Sequence, residues 1–455
     1  MAQNKTRKAT PKGKAAAGAV EAEIGNTGLP SVGGRIQDEF LVELRGERGR
    51  RVYREMADND DAVGAILLAI EMMIRSVQYR FDPIDQSNAA MEARDWMQAA
   101  IFDDMSHTFE EFITEALSFL VYGWAYFEIV LKFRNGENKE DKEKSSKFDD
   151  KAIGIAKVAL RGQQSLDRWE FKEGRLAGMW QRAMLGTAMC FVPIERSMLL
   201  RTKKIMDNPE GRSILRSAYR AYYYKKNIQN QEAIGFERDL TGIPVAYIPS
   251  EILSATTGKA SQARAVYEQI VRDVKMNEHG GIILPSDPYA NDDGSYTSTP
   301  KFKLELLSSP GNKAVDADKV IRRYESSIAR TVLADFIMLG NGHGSFALSK
   351  SKTDLFLTSL EAFKKIIITG FQKHVVETLW EVNGFAKELC PYLCGSNVAP
   401  VDLAELGDFI AKTSGAGFML AGDADTENFV RAAAGMPENA EANVAGLPPV
   451  DDAAT

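Results

Sequence analysis

Gly340–Val382 reads GNGHGSFALSKSKTDLFLTSLEAFKKIIITGFQKHVVETLWEV. Its beginning and its remainder ask opposite things of a backbone. Gly340, Gly342 and Gly344 alternate with polar residues and lead into a serine–lysine run ending at Lys352. Glycine is conformationally permissive, so residues 340–352 read as a moving loop. From Asp354 the pattern changes. Leu357, Leu360, Phe363, Ile366, Ile367, Phe371, Val375, Leu379 and Val382 recur at the spacing of a helix that buries one stripe. The spacing predicts a helix over 354–383, with Gly370 near its middle as the place for a kink.

Working upstream, Asp316–Leu339 predicts a second long helix. Val320, Tyr324, Ile328, Val332 and Phe336 make its apolar side, and Lys319, Arg323 and Arg330 lie along another, with Arg322 beside them. A basic side of this kind is either an ordinary solvated face or a surface for phosphate or for a neighbouring subunit's acids. Before it, residues 241–314 are mixed: a strand in PVAYIPS, a helix from about Ala260 to Met276, and strands in GGIILPS and KFKLELL. Asp292-Asp293-Gly294 reads as a turn. Asn208-Pro209 and Ser213 open a further long helix running to about Phe236, whose Tyr219, Tyr222, Tyr223 and Tyr224 suit packing between helices or subunits.

The N-terminal half is α+β. Asp58 is a candidate cap for a helix striped by Val63, Ile66, Leu67, Ile70, Met73, Ile74 and Val77. Thr108 with Glu111 makes a capping box ahead of Phe109, Phe112, Ile113, Ala116, Leu117 and Leu120, and Gly123 ends that helix. Ala125, Phe127, Ile129, Leu131 and Phe133 then alternate with Tyr126, Glu128, Val130 and Lys132, the period of a strand. The charge-dense residues Arg134–Lys151 read as a solvated loop, and Glu173-Gly174 as a hairpin turn.

Composition bounds the function. The chain has 455 residues, 44% apolar, which suffices for a core shared among two or three modules. Net charge is -7, so contact with nucleic acid is local rather than a property of the whole surface. Three cysteines and no apolar leader point to a soluble protein made in a reducing cytosol, with no membrane span and no metal site. GNGHG follows a helix instead of a strand, and Lys350 is not in Walker spacing, so a nucleotide cradle is not expected. No GxSxG or HExxH occurs, and the sequence offers no catalytic constellation and no cofactor motif. Residues 1–34 carry Lys5, Arg7, Lys8, Lys12 and Lys14 before the first acid, Glu21, and read as a disordered basic tail. That tail is either a contact for nucleic acid or scaffold, or simply solvated. Residues 421–455 read as a disordered acidic tail.

Four stretches together resemble the portal proteins of tailed bacteriophages, the Mu-like family in particular. They are VYREMADNDDAVGAILLAIEMMIRSVQYRF, EALSFLVYGWAYFEIVLKF, NPEGRSILRSAYRAYYYKKNIQNQEAIGFERDLTGIPVAY and LGNGHGSFALSKSKTDLFLTSLEAFKKIIITGFQKHVVETLWEVNG. The resemblance spans roughly residues 40–395 and rests on order and spacing. It implies a helix-rich α+β portal fold assembled as a dodecameric ring. The wing falls on 35–207, the first stem helix on 208–240, a small α/β clip on 241–314 and the second stem helix on 315–339. The tunnel loop falls on 340–353, a kinked tunnel helix on 354–383 and a reduced crown on 384–420. The implied setting is a virion, at one capsid vertex, assembled in the bacterial cytoplasm. Implied partners are further copies of the chain, double-stranded DNA passing through, the large terminase subunit, a head–tail connector or adaptor, and the major capsid and scaffold proteins. The alternative is another structural head protein, a scaffold or minor head component without a DNA channel.

The resemblance also assigns candidate residues. His343, Ser345, Ser349, Lys350, Ser351 and Lys352 would meet DNA from the tunnel loop, with Gly340, Gly342 and Gly344 as its hinges. The competing reading has the two lysines facing a wing and keeping the loop soluble. Lys319, Arg322, Arg323 and Arg330 would line the channel or bind acids of the next subunit. A channel densely lined with cations would trap the duplex, because each neutralised phosphate releases counterions and tightens binding. A net acidic chain with few positive positions suits sliding.

Overall fold

The computed structural model describes residues 27–139, 141–182, 188–241, 243–273, 287–291, 293–307, 317–332, 346–398, 403–415 and 430–431. They form two compact units, one from Met1–Arg216 with Val332–Thr455 and one from Ser217–Thr331.

The first unit opens with a small hairpin, β1 (Ser31–Val32) and β2 (Arg35–Ile36). Gly34 turns at φ 79°, its carbonyl accepts the Trp169 amide at 2.9 Å, and a Cβ there would collide with the Trp169 backbone. Leu29 and Ile36 join a core of Trp124, Tyr126, Trp169 and Val192. The fold thus starts earlier than the expected tail boundary at 34: residues 27–34 are part of it.

Helices α1 (Gly46–Asn59) and α2 (Asp61–Arg75) come next. The α2 cap is Asp60, whose carboxylate accepts the Val63 amide at 3.0 Å. Asp58, the expected cap, lies inside α1 and pairs with Arg54 at 3.1 Å. Two aspartates so close together made the choice ambiguous in the sequence. The stripe is real: Val63, Ile66, Ile70, Ile74 and Val77 are buried. Strand β3 (Tyr79–Asp82) precedes α3 (Asn88–Gln98), which runs into a π turn at Ala99–Asp103. Helix α4 (Phe109–Ala116) carries the Thr108–Glu111 capping box, and α5 (Ser118–Tyr122) ends at Gly123 with φ 90°.

Six strands continue the chain: β4 (Trp124–Phe133), β5 (Ile153–Leu160), β6 (Leu166–Lys172), β7 (Arg175–Arg182), β8 (Met189–Pro193) and β9 (Ser197–Arg201). They make two antiparallel sheets ordered β5-β4-β9 and β6-β7-β8. Glu173 and Gly174 both adopt positive φ, the hairpin turn expected there. Strand β4 departs from simple alternation. Its first four residues are buried whichever face they are on, whereas Phe133 is 65% exposed and Lys132 only 5%. The ladder to β5 shifts register between Val130 and Leu131, and the extra residue, Ala156, is on β5. Lys132 stays on the face of Trp124 and Tyr126, where it donates to the carbonyl of Asp104 and to that of Ser145 at 2.6 Å. Arg134 lies over the Phe148 ring at 4.3 Å, and Ser146 donates to Asp104 at 2.9 Å. The segment after β4 is therefore pinned at Arg134 and Ser146, not freely solvated as expected.

In the second unit, α6 (Tyr219–Thr241) begins past a short 3-10 turn at Ile214–Arg216 that Ser213 supports by accepting the Leu215 amide at 3.0 Å. Then come β10 (Ile243–Tyr247), α7 (Ser250–Leu253), α8 (Gly258–Asp273), β11 (Pro288–Ala290), β12 (Tyr296–Pro300), β13 (Lys303–Leu307) and α9 (Ala317–Thr331). Strand β10 pairs antiparallel with β13, and β11 with β12 around Gly294. The β11–β12 hairpin was not expected; its strands are short and polar. The strand expected in GGIILPS lies outside the described residues.

The chain rejoins the first unit in α10 (Phe346–Phe371), a π turn (Gln372–Val376) and α11 (Glu377–Val382). Residues 346–352 are thus helical, where a loop to 352 was expected: FALSKSK holds no breaker, and Ala, Leu and Lys are good helix formers. Strand β14 (Tyr392–Gly395) pairs with β3, and the Val398 amide donates to Glu361 at 2.6 Å. Residues 384–398, the start of the expected crown, thus pack with earlier elements of the first unit. Helix α12 (Leu403–Gly415) ends the main described chain. A helix-rich α+β fold is what the chain adopts.

Candidate functional site

Two places concentrate charge in a way that positions something. The first is the helix pair α6–α9 in the second unit. Lys225 on α6 is 1% exposed and reaches Glu325 on α9 at 3.2 Å. One residue earlier on each helix, Tyr224 and Tyr324 stack with centroids 6.1 Å apart. Arg220 lies over Tyr224 and Arg323 over Tyr324, so guanidinium and ring alternate across the pair.

On α9 the four expected basic residues, Lys319, Arg322, Arg323 and Arg330, are all exposed. Arg322 pairs with Asp318 at 2.9 Å, and Arg330 donates to the Ser326 carbonyl at 3.0 Å. Ile328 and Ala329 are buried on the other side, so the amphipathic reading of this helix is correct. Arg323 and Arg330 keep their charge at the surface, where phosphate or a carboxylate has access.

The second place is the joint where the chain leaves the first unit. Gly123 and Gly211 cross so closely that a Cβ on either would meet the other segment's backbone. Thr202 donates through its amide to the Gly123 carbonyl at 3.0 Å. Met206 and Asp207 both take positive φ, a conformation that costs a non-glycine residue on the order of 1 kcal/mol. Asp207 is held there by Arg201 at 2.9 Å and Lys204 at 3.2 Å. Arg216 grips Glu39 with two hydrogen bonds of 2.8 Å.

A cleft of about 310 Å³ lies at this joint, lined by Asp38, Glu39, Arg45, Tyr53, Glu210 and Arg212 among others. Burial pushes the Glu39 carboxyl up, but the hydrogen bonds from Arg216 and the Leu41 amide outweigh it and hold the group below its ordinary value. Glu210 behaves oppositely. Burial raises it, and Arg50 and the indole N–H of Trp169, at 3.2 Å, offset that only in part. Acids and guanidiniums here answer one another, so the cleft anchors the chain.

The other expected residues fare differently. Gly340, Gly342, His343, Gly344 and Ser345 lie outside the described residues. Ser349, Lys350, Ser351 and Lys352 are backbone positions in the first turns of α10. A π turn begins two residues past Gly370, and a Cβ at 370 would collide with the Leu200 side chain on β9. Close packing is its reason for being glycine. The joint at 201–216 was missed. Its signal was present in Asn208-Pro209 and Gly211, read only as a helix start.

Comparison with known proteins gives one family and several distant folds. The family model described as the portal protein of Mu bacteriophage matches residues 50–435. No curated protein matches. Among solved structures, a chain of the virion of a native gene transfer agent particle shares 10% identity, with 86% of this chain and 93% of that one covered and a TM-score of 0.49. The neck of the native particle, computed with C12 symmetry, gives 11% identity, 86% and 94% coverage and a TM-score of 0.45. A portal protein of the HK97 phage family from Corynebacterium diphtheriae gives 9%, 78% and 96%, and 0.38.

Proposed function

Since this chain belongs to the portal protein family of bacteriophage Mu, we propose that it forms a homododecameric ring at one vertex of a phage capsid, the channel through which double-stranded DNA is packaged and ejected. The observation that carries this reading is the family match over residues 50–435. In this reading the large terminase subunit docks on the ring during packaging, and a head–tail connector replaces it afterwards. Major capsid and scaffold proteins surround it in the virion.

Residues 35–207 are the wing, with α10, its π turn and α11 behind the channel; α6 and α9 are the stem helices, and 241–314 is the clip. The exposed Lys319, Arg323 and Arg330 on α9 support a stem that presents sparse positive charge. Sparse charge guides a polyanion without holding it, since affinity grows steeply with each phosphate neutralised. His343, Ser345, Ser349, Lys350, Ser351 and Lys352 are proposed to touch the passing duplex, with Gly340, Gly342 and Gly344 allowing movement.

Electron microscopy of the purified protein tests the assembly. The expected result is a closed ring of twelve subunits around an opening of duplex width. Monomers or open filaments at high concentration would instead favour a scaffold or minor head component. Replacing Lys350 and Lys352 with alanine tests the DNA contact, with shortened or leaking packaged genomes expected; unchanged packaging and retention removes these residues from it.

A further inference from the structure

The C-terminal part of the first unit holds a second cleft, of about 290 Å³, bounded by α11, β14 and the residues after β3. Its floor is apolar. Trp380 is buried, fixed by an indole N–H donated to the Ala386 carbonyl at 2.9 Å and by Phe385, whose ring centroid lies 4.7 Å away. Ile84 and Tyr392 stand beside it, part exposed.

The rim is acidic. Glu377 and Glu381 lie one turn apart on α11, and Glu388 comes after them; all three line the cleft, with Lys387 as the only cation lining it. Some acids on other helices of this unit have partners at that spacing, as Glu47 has Arg51, Asp58 has Arg54 and Glu71 has Arg75, though Glu111 and Glu115 on α4 do not. Glu377 and Glu381 form a like-charge pair, which destabilises a helix. None of the three glutamates has an ion-pair partner among the described residues. Their field is felt inside the cleft: burial, then Glu377 and Glu381, push the Cys390 thiol up to about 11.

The same chain supplies the complementary charge. Lys5, Arg7, Lys8, Lys12 and Lys14 precede its first acid, Glu21. Lysine and arginine suit this cleft doubly, because their stems cover apolar surface and their heads pair with carboxylates or sit over aromatic faces. Extended chain spans about 3.3–3.6 Å per residue, so the residues from Lys14 to Thr27 reach roughly 45 Å. A unit of this size is of that order across. We propose that this cleft is the docking site of the chain's own basic segment, residues 5–14, from the same copy or from a second one. The proposal stands whether or not the ring reading does.

Carbodiimide coupling of the full-length protein, followed by peptide mapping, tests it. Lys5, Lys8, Lys12 and Lys14 are expected to couple to Glu377, Glu381 and Glu388, and coupling should fall at 1 M salt, where the screening length shrinks to about 3 Å. A triple variant, Glu377→Gln, Glu381→Gln and Glu388→Gln, should lose those products and send the lysines to no other single region. Mixing isotopically labelled with unlabelled protein tells same-copy from second-copy coupling, and either supports the site. The proposal is overturned if the lysines couple chiefly to the acidic residues 423–452 or spread evenly over surface carboxylates. It is equally overturned if protection of the segment from exchange appears only after duplex DNA is added. Because the substitutions lie on the cleft rim, an unaltered melting curve for the variant keeps the comparison valid.

Discussion

In the first unit the largest fully buried side chains are mostly aromatic: Trp124, Trp169, Tyr126, Phe112, Phe119 and Phe371 among them. Among the described residues of the second unit, a lysine, Lys225, is as deeply buried as Ile328, and Tyr223 and Tyr224 beside it stay exposed. One unit is stabilised chiefly by apolar burial, with one buried charge cluster at Asp104, Lys132 and Arg134. The other holds its two long helices by a lysine–glutamate contact, a stacked ring pair and a few buried apolar residues such as Ile328 and Ala329. The difference teaches that one chain can build one part on apolar burial and another on polar contacts between long helices.

The comparison breaks most visibly with Phe112→Ala. Phe112 is fully buried among Phe109, Phe127 and Phe371, and losing it should cost the first unit about 4 kcal/mol in chemical denaturation. Next is Lys225→Ala, expected to cost the second unit about 2 kcal/mol, while Lys225→Met, which keeps the stem, should cost less. Hydrogen exchange resolved by residue should show each loss confined to its own unit. If both substitutions destabilise both units equally, the contrast is wrong.

Two glutamates at the joint give a pH test of opposite sign. Glu39 has a folded value below its unfolded one, so it contributes stability above the ordinary carboxylate range and loses it as pH falls through the lowered value. Glu39→Gln should therefore lower neutral-pH stability by about 1 kcal/mol, with the deficit vanishing in acid. Glu210 is raised, so its ionised form opposes folding at neutral pH. Glu210→Gln keeps an acceptor for the Trp169 indole and should gain stability at neutral pH, the gain disappearing below the ordinary carboxylate value. Smallest of all, Arg322→Ala removes an exposed pair with Asp318 and should shift stability by less than about 0.5 kcal/mol.

Much of this architecture was legible where local chemistry and periodicity agreed. The α2 stripe, the Thr108–Glu111 box and the Glu173-Gly174 turn each needed only neighbouring residues. What the sequence concealed depended on contacts far away along the chain. The bulge opposite Val130–Leu131 lies on β5, and nothing in the β4 residues announces it. The start of α10 at Phe346 was hidden because serines next to lysines look like a loop. The basic face on α9 was legible from spacing alone, whereas the joint at 201–216 depends on Gly123, nearly ninety residues earlier, and on Glu39. The packing at Gly370 was hidden too, since its neighbour Leu200 belongs to another element.

The π turn at Gln372–Val376 has a consequence for how the chain can vary in length. Buried positions step by three or four through Leu360, Lys364, Ile367 and Phe371, then by four and five to Val375 and Val376, before resuming at Leu379 and Trp380. Each α-helical residue advances about 100°, so the wider turn absorbs one residue without rotating the helix beyond it. The segment is a phase adjuster. Deleting one residue within 372–376 would close the wide turn into regular helix and leave Leu379 and Trp380 facing the core, whereas inserting a further residue there would rotate them away by about 100°. Length changes are tolerable here only when they conserve angle, and the wide turn holds one residue that can be lost on those terms.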